Sequence, residues 1–272
     1  MKTFGTAARR WVGGARRYAR RLSCSVRLRG DAYATQPPPG VEERWITTAD
    51  GVRLHAWYAR ASRQATTGST TLLWAHGNGV SIARRPHVLQ ALTARGLDVL
   101  AFDYRGCGRS TGRPSEAGLY RDAVAAYDSE RGRGVPPSRI VAFGESLGGV
   151  VALDLATRRP CAGVAVVSTL THVRDLWPGV GALSRSVRLD ALERIRRLHI
   201  PVLVAHGDRD QTIRLEIGHR LFAAANPPKT FLRVAGAGHY TVLQNVGLLD
   251  ALAAFAHEIA GETTRGASDE NP

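Results

Sequence analysis

Long apolar runs are missing from this sequence. No stretch approaches the roughly 18 consecutive apolar residues that a bilayer-spanning helix needs, and the first 30 residues lack the apolar centre of a secretory signal. The expectation is therefore a cytoplasmic chain. Cysteine is scarce as well: Cys24, Cys107 and Cys161 are odd in number and widely spaced, with no C-x-x-C pair and no histidine at metal-ligand spacing. That pattern predicts neither a disulfide framework nor a zinc site. Leu22-Ser23-Cys24 has the outline of a lipoprotein cleavage site, but arginines precede it where an apolar run is needed, which argues against lipidation.

Acidic residues are absent from positions 1 to 30, which hold Lys2 and eight arginines and account for +9 of a formal net charge of +14. The other 242 residues carry only +5, so the excess does not make the whole chain a polyanion binder. Within the arm, Trp11, Ala15, Tyr18 and Leu22 recur at near-helical spacing opposite the arginines, a pattern suited to an anionic membrane surface. Gly13 and Gly14 interrupt it, so the expectation is a disordered arm, with peripheral contact at the inner membrane face as the alternative. No base-reading motif accompanies the arginines, so no specific nucleic-acid partner is expected.

What is present is a repeat of short apolar runs and amphipathic segments. Pro37-Pro38-Pro39-Gly40 closes the arm as a stiff linker, giving residues 1–40 as arm and linker, 41–260 as one folded domain and 261–272 as a disordered tail. Strands are predicted at Val41 to Thr48, Val52 to Ala59, Thr71 to Ala75, Val99 to Asp103, Ile140 to Phe143, Val164 to Val167, Val202 to Ala205 and Phe231 to Val234. Helices are predicted near 83–95, 116–130, 147–158, 215–225 and 246–260. Runs such as Thr71-Leu72-Leu73-Trp74-Ala75 lack polar alternation, as strands covered on both faces do. An α/β fold follows: a mostly parallel central sheet of about eight strands, opened by an antiparallel pair and flanked by helices. Residues 169–200 are long for a connection and are predicted to form a small cap.

Ile140-Val141-Ala142-Phe143 runs into Gly144-Glu145-Ser146-Leu147-Gly148, and a helical pattern follows. A sharp turn between strand and helix projects the middle side chain, and the flanking glycines keep the backbone clear of it. Ser146 is thus the candidate nucleophile. A serine hydroxyl needs a base, and the base needs a carboxylate to orient it. His239, in a Gly-rich loop after the last predicted strand, is the candidate base; Asp210, in Gly207-Asp208-Arg209-Asp210 past a buried strand, is the candidate acid. Asp208 is expected to satisfy turn backbone groups instead. Ser146, Asp210 and His239 follow one another at intervals of 64 and 29 residues. Donors for a developing oxyanion are expected from the backbone N–H groups of Leu147, at a helix start, and Asn78, in His76-Gly77-Asn78-Gly79.

On these segments, together with Asp103-Tyr104-Arg105-Gly106-Cys107-Gly108-Arg109-Ser110, the chain resembles the α/β-hydrolase superfamily over roughly residues 45 to 260. The last-named loop, and Leu192-Glu193-Arg194-Ile195 before Pro201-Val202-Leu203, are similar to the branch holding depalmitoylating thioesterases, serine aminopeptidase-like enzymes and Bem46-like proteins. The resemblance implies the α/β-hydrolase fold, with Ser146 as nucleophile, Asp210 as acid and His239 as base. It implies a serine hydrolase acting on a small-molecule or lipid acyl ester or thioester, with no metal or organic cofactor. Two alternatives are a peptidase of the aminopeptidase type, for which the cap lacks an acidic cluster, and a non-catalytic membrane-associated binding protein.

Overall fold

The computed structural model describes residues 36–62, 69–79, 81–175 and 187–266. The expected basic arm up to residue 35, the centre of the expected cap (176–186) and the last six residues of the expected tail lie outside the described residues.

Eight strands form one sheet: β1 Val41–Thr47, β2 Arg53–Ala59, β3 Thr71–Ala75, β4 Asp98–Phe102, β5 Ile140–Glu145, β6 Gly163–Val167, β7 Val202–Gly207 and β8 Lys229–Val234. Among the described residues six α-helices flank it: α1 Pro86–Thr93, α2 Glu116–Gly132, α3 Leu147–Arg158, α4 Ala191–Arg196, α5 Leu215–Ala224 and α6 Val246–Gly266. The strand order is β1-β2-β4-β3-β5-β6-β7-β8. Only the β1–β2 and β2–β4 pairs are antiparallel; β4, β3, β5, β6, β7 and β8 run parallel.

The period-two geometry of a strand explains the two cores. In β4, Leu100 and Phe102 join the side chains of α2, α3, α4 and α5, whereas Val99 and Ala101 join those of α1 and α6. Every residue of β3 and β6 is buried, which accounts for their unbroken apolar sequence. The chain leaves β3 toward β4 on one side and then crosses to β5 on the other. The carboxyl ends of β3 and β5 therefore flank the point where the connections diverge, the place where open parallel sheets form clefts. Ala75 pairs with Gly144 there, so the segments after them emerge side by side.

Several expectations are corrected. The helix over 83–95 is a 3-10 turn at Ile82–Arg84 followed by α1, because Pro86 has no N–H to continue a helix but is preset to start one. β5 continues to Glu145, which pairs with Val167 of β6. The last helix runs through Gly261 to Gly266, past the boundary drawn at 260. Within 169–200 the described parts are a 3-10 turn at Val173–Asp175 and α4. Cys161 is free and buried. Among the described residues no helix is long and apolar enough to cross a membrane.

Candidate active site

Ser146 sits between β5 and α3 with φ 53° and ψ −118°, a left-handed conformation that a non-glycine residue adopts only when its surroundings impose it. The surroundings here are backbone atoms. A Cβ on Gly144 would lie 2.1 Å from Gly148 O, and one on Gly148 would lie 1.9 Å from Ala75 O. The two glycines let the start of α3 press against β3 and leave the turn no other path. Gly148→Ala is accordingly expected to lower stability by about 3 kcal/mol or more, since the obstacle is strand backbone with no room to shift. Denaturant unfolding would measure this, and a loss below about 1 kcal/mol would contradict the packing argument.

Asp210 and His239 lie on the loops after β7 and β8 and meet at 2.8 Å, His239 Nδ1 donating to Asp210 Oδ2. The Asp210 carboxylate is fully buried, whereas the imidazole retains 12% exposure. Asp210 Oδ1 accepts the N–H groups of Thr212 and Ile213 at 2.9 and 2.8 Å. Burial alone would raise the Asp210 pKa. The hydrogen bonds from His239, Ile213 and Thr212 outweigh it and hold the carboxyl below its ordinary range. With its Nδ1 proton committed to a carboxylate, His239 presents Nε2 as the unprotonated ring nitrogen. Among the described residues no hydrogen bond joins His239 to Ser146; such bonds commonly tighten only with substrate in place.

Asp208 does different work. Its Oδ1 accepts Gly236 N–H at 2.8 Å and its Oδ2 takes Arg233 at 3.0 Å, so it closes the β8 turn. The two backbone donors of interest are free among the described residues. Leu147 N–H belongs to the first turn of α3, where a helix has no internal acceptor. Asn78 N–H follows Gly77, whose position abuts the nucleophile: a Cβ built there would lie 3.5 Å from Ser146 Cβ.

Three buried side chains around this cluster escaped the sequence reading. His206, fully buried, donates Nε2–H to Ile213 O at 2.8 Å and so braces the loop that carries Asp210. His76 and Glu145 both contact Gly77. The signal available for the histidines was their shared place before glycine at the end of a strand, which alone does not tell packing from support. The loop after β4 is a scaffold. Arg105 bonds Asp122 and Asp50, each at 2.8 Å, Ser110 Oγ donates to Asp103 O at 2.7 Å, and Gly108 leaves room for the Asp103 carboxylate.

Two cavities lie away from the Ser146, Asp210 and His239 cluster. One of about 990 Å³ runs between edge strand β1 and α2, past Trp45 and Tyr120; another of about 870 Å³ lies against Thr171, Asp190 and Arg220, beside the segment expected to form the cap. Neither is lined by Ser146, Asp210 or His239. Among the described residues no group of three or more metal-ligating side chains is assembled.

The serine aminopeptidase, S33 family profile matches residues 68–189. An uncharacterized protein of Mycobacterium tuberculosis is 39% identical over 229 residues, spanning 79% of each chain. The human alpha/beta hydrolase domain-containing protein 17B is 32% identical over 213 residues, covering 77% of this chain and 73% of its own length. Among solved structures, the esterase domain of a Rhodothermus marinus protein superposes with a TM-score of 0.63 at 25% identity, covering 80% of this chain and 98% of that one.

Proposed function

The chain belongs to the α/β-hydrolase superfamily and is a hydrolase, and from that premise we propose that it cleaves a carboxylic ester or thioester through an acyl-enzyme on Ser146. The observation that carries this reading is a His239 whose ring proton is committed to buried Asp210 at 2.8 Å, in a fold whose turn after β5 holds Ser146 in a strained conformation. His239 Nε2 takes the Ser146 hydroxyl proton as Oγ attacks the acyl carbonyl. Asp210 stabilises the imidazolium, and the N–H groups of Leu147 and Asn78 receive the oxyanion. The imidazolium then protonates the leaving alcohol or thiol. Water, deprotonated by the same nitrogen, attacks the acyl-enzyme and releases the carboxylic acid, returning the proton to Ser146.

A fluorophosphonate probe is expected to label the protein at Ser146, identified by mass spectrometry of the labelled peptide. Rates on ester and thioester substrates of increasing acyl length would then define the substrate. Absence of labelling would overturn the covalent mechanism. The family profile's name favours amide cleavage as a second reading. Against it, the described acids near the expected cap are engaged: Asp175 bonds Thr171 and Arg220, and Asp190 caps α4. Aminoacyl amides in the same panel would decide; turnover exceeding that of matched esters would favour the peptidase.

A further inference from the structure

Gly77 is gripped on both sides by buried side chains that the mechanism above does not use. Its N–H donates to Glu145 Oε1 at 3.4 Å, and Glu145 is in turn paired with Arg85 at 3.3 Å. Its carbonyl oxygen lies 2.8 Å from His76 Nδ1. A carbonyl can only accept, so Nδ1 carries the proton. The residue before it is fixed too, because Tyr104 O–H donates to His76 O at 2.9 Å.

The grip matters because Gly77 C=O and Asn78 N–H belong to one peptide plane. In a trans peptide the two bonds point in opposite directions, so fixing one fixes the other. The His76 ring is 1% exposed, packs against Tyr104 at a tilt of 50° with centroids 4.5 Å apart, and lies with Nε2 3.5 Å from Asp103 Oδ1. The ring therefore cannot swing away, and the carbonyl is held toward it. We propose that His76 is a positioning residue for the oxyanion hole: by holding Gly77 C=O it aims Asn78 N–H away from the protein interior, to the side where Ser146 lies. The inference rests on the Ser146 reading, since an aimed donor matters only if an oxyanion forms. His206, the other histidine that precedes glycine at the end of a strand, binds a distant carbonyl through Nε2 instead, so the local motif alone does not produce this arrangement.

The test compares two amide variants of similar polarity. His76→Asn places an amide nitrogen near the position of Nδ1, whereas His76→Gln places it near Nε2, facing Asp103. His76→Gln is expected to lower kcat on a p-nitrophenyl ester by about 10- to 100-fold with KM within about threefold. Affinity for a transition-state analogue, an alkyl trifluoromethyl ketone, is expected to fall in proportion. His76→Asn is expected to recover at least tenfold of the lost kcat and of the analogue affinity. Thermal unfolding of both variants controls for the fold. Equal losses in the two variants, or a loss carried by KM alone, would overturn the positioning role while leaving the nucleophile intact. Wild-type protein that fails to turn over, or Ser146→Ala as active as wild type, would instead remove the reading beneath it.

Discussion

Ser146→Ala is expected to lower kcat on a p-nitrophenyl acyl ester by about 10⁶-fold, to the residual rate that binding and the oxyanion donors alone support. The size follows from what is lost. Without Oγ no acyl-enzyme forms, and His239 and Asp210 have no proton to move. The same position offers a stability experiment. At φ 53° and ψ −118° any side chain is strained, by about 1–3 kcal/mol, and alanine keeps that strain. Glycine relieves it at an entropic cost of about 0.5–1 kcal/mol. Ser146→Gly should thus be as inactive as alanine yet more stable, by about 1 kcal/mol, or about 2–4 °C in Tm. Residual activity above about one per cent in either variant would mean that another group is the nucleophile. A glycine variant no more stable than alanine would mean that the turn stores no strain.

The strain also explains why this part of the molecule was legible in the sequence. Strand, sharp turn and helix are local events, and each leaves a local mark: the apolar run of β5, the glycines at 144 and 148, the helical pattern after 147. The order of the strands left no such mark. It follows from right-handed crossovers and from which faces need covering. Boundaries were misjudged where a polar residue continues an element. Glu145 reads as a turn residue because it is charged, yet it is buried in β5, its carboxylate occupied by Gly77 N–H and Arg85. Lys229 likewise opens β8, its ammonium spent on the carbonyls of Phe222 and Ala225. In each case the partner lies elsewhere in the fold, and no window of sequence contains it.

Candidate site residues divide along the same line. Ser146, Asp210 and His239 could be named because their chemistry demands certain residue types at strand ends, and few positions qualify. His76 and His206 could not. Their roles depend on which carbonyl each ring reaches, a consequence of loop geometry. The choice of Asp210 over Asp208 rested on depth in the loop. Its physical basis is the contrast between an exposed turn closed by Gly236 and Arg233 and a buried carboxylate that meets an imidazole.

That contrast sets the second large effect. Asp210→Asn is expected to lower kcat by about 10⁴-fold, while Asp208→Asn leaves it within about threefold. The amide at 210 has one oxygen to offer. Thr212 and Ile213 N–H groups both point at the Oδ1 position, so the oxygen must stay there and the NH₂ must face His239. A donor facing Nδ1 drives the imidazole to the opposite tautomer, with its proton on Nε2, and a protonated Nε2 cannot take the proton of Ser146. The loss is thus one of tautomer, with little change of shape. The pH dependence of stability gives an independent reading. Because the folded pKa of Asp210 lies below its ordinary value near 3.8, its ionisation stabilises the fold fully above that value. The contribution disappears as pH falls through the folded value. The stability gap between wild type and Asp210→Asn should therefore be widest at neutral pH and narrow below about pH 4. A gap that stayed constant down to pH 2, or a large activity loss in Asp208→Asn with little in Asp210→Asn, would move the acid's role away from Asp210.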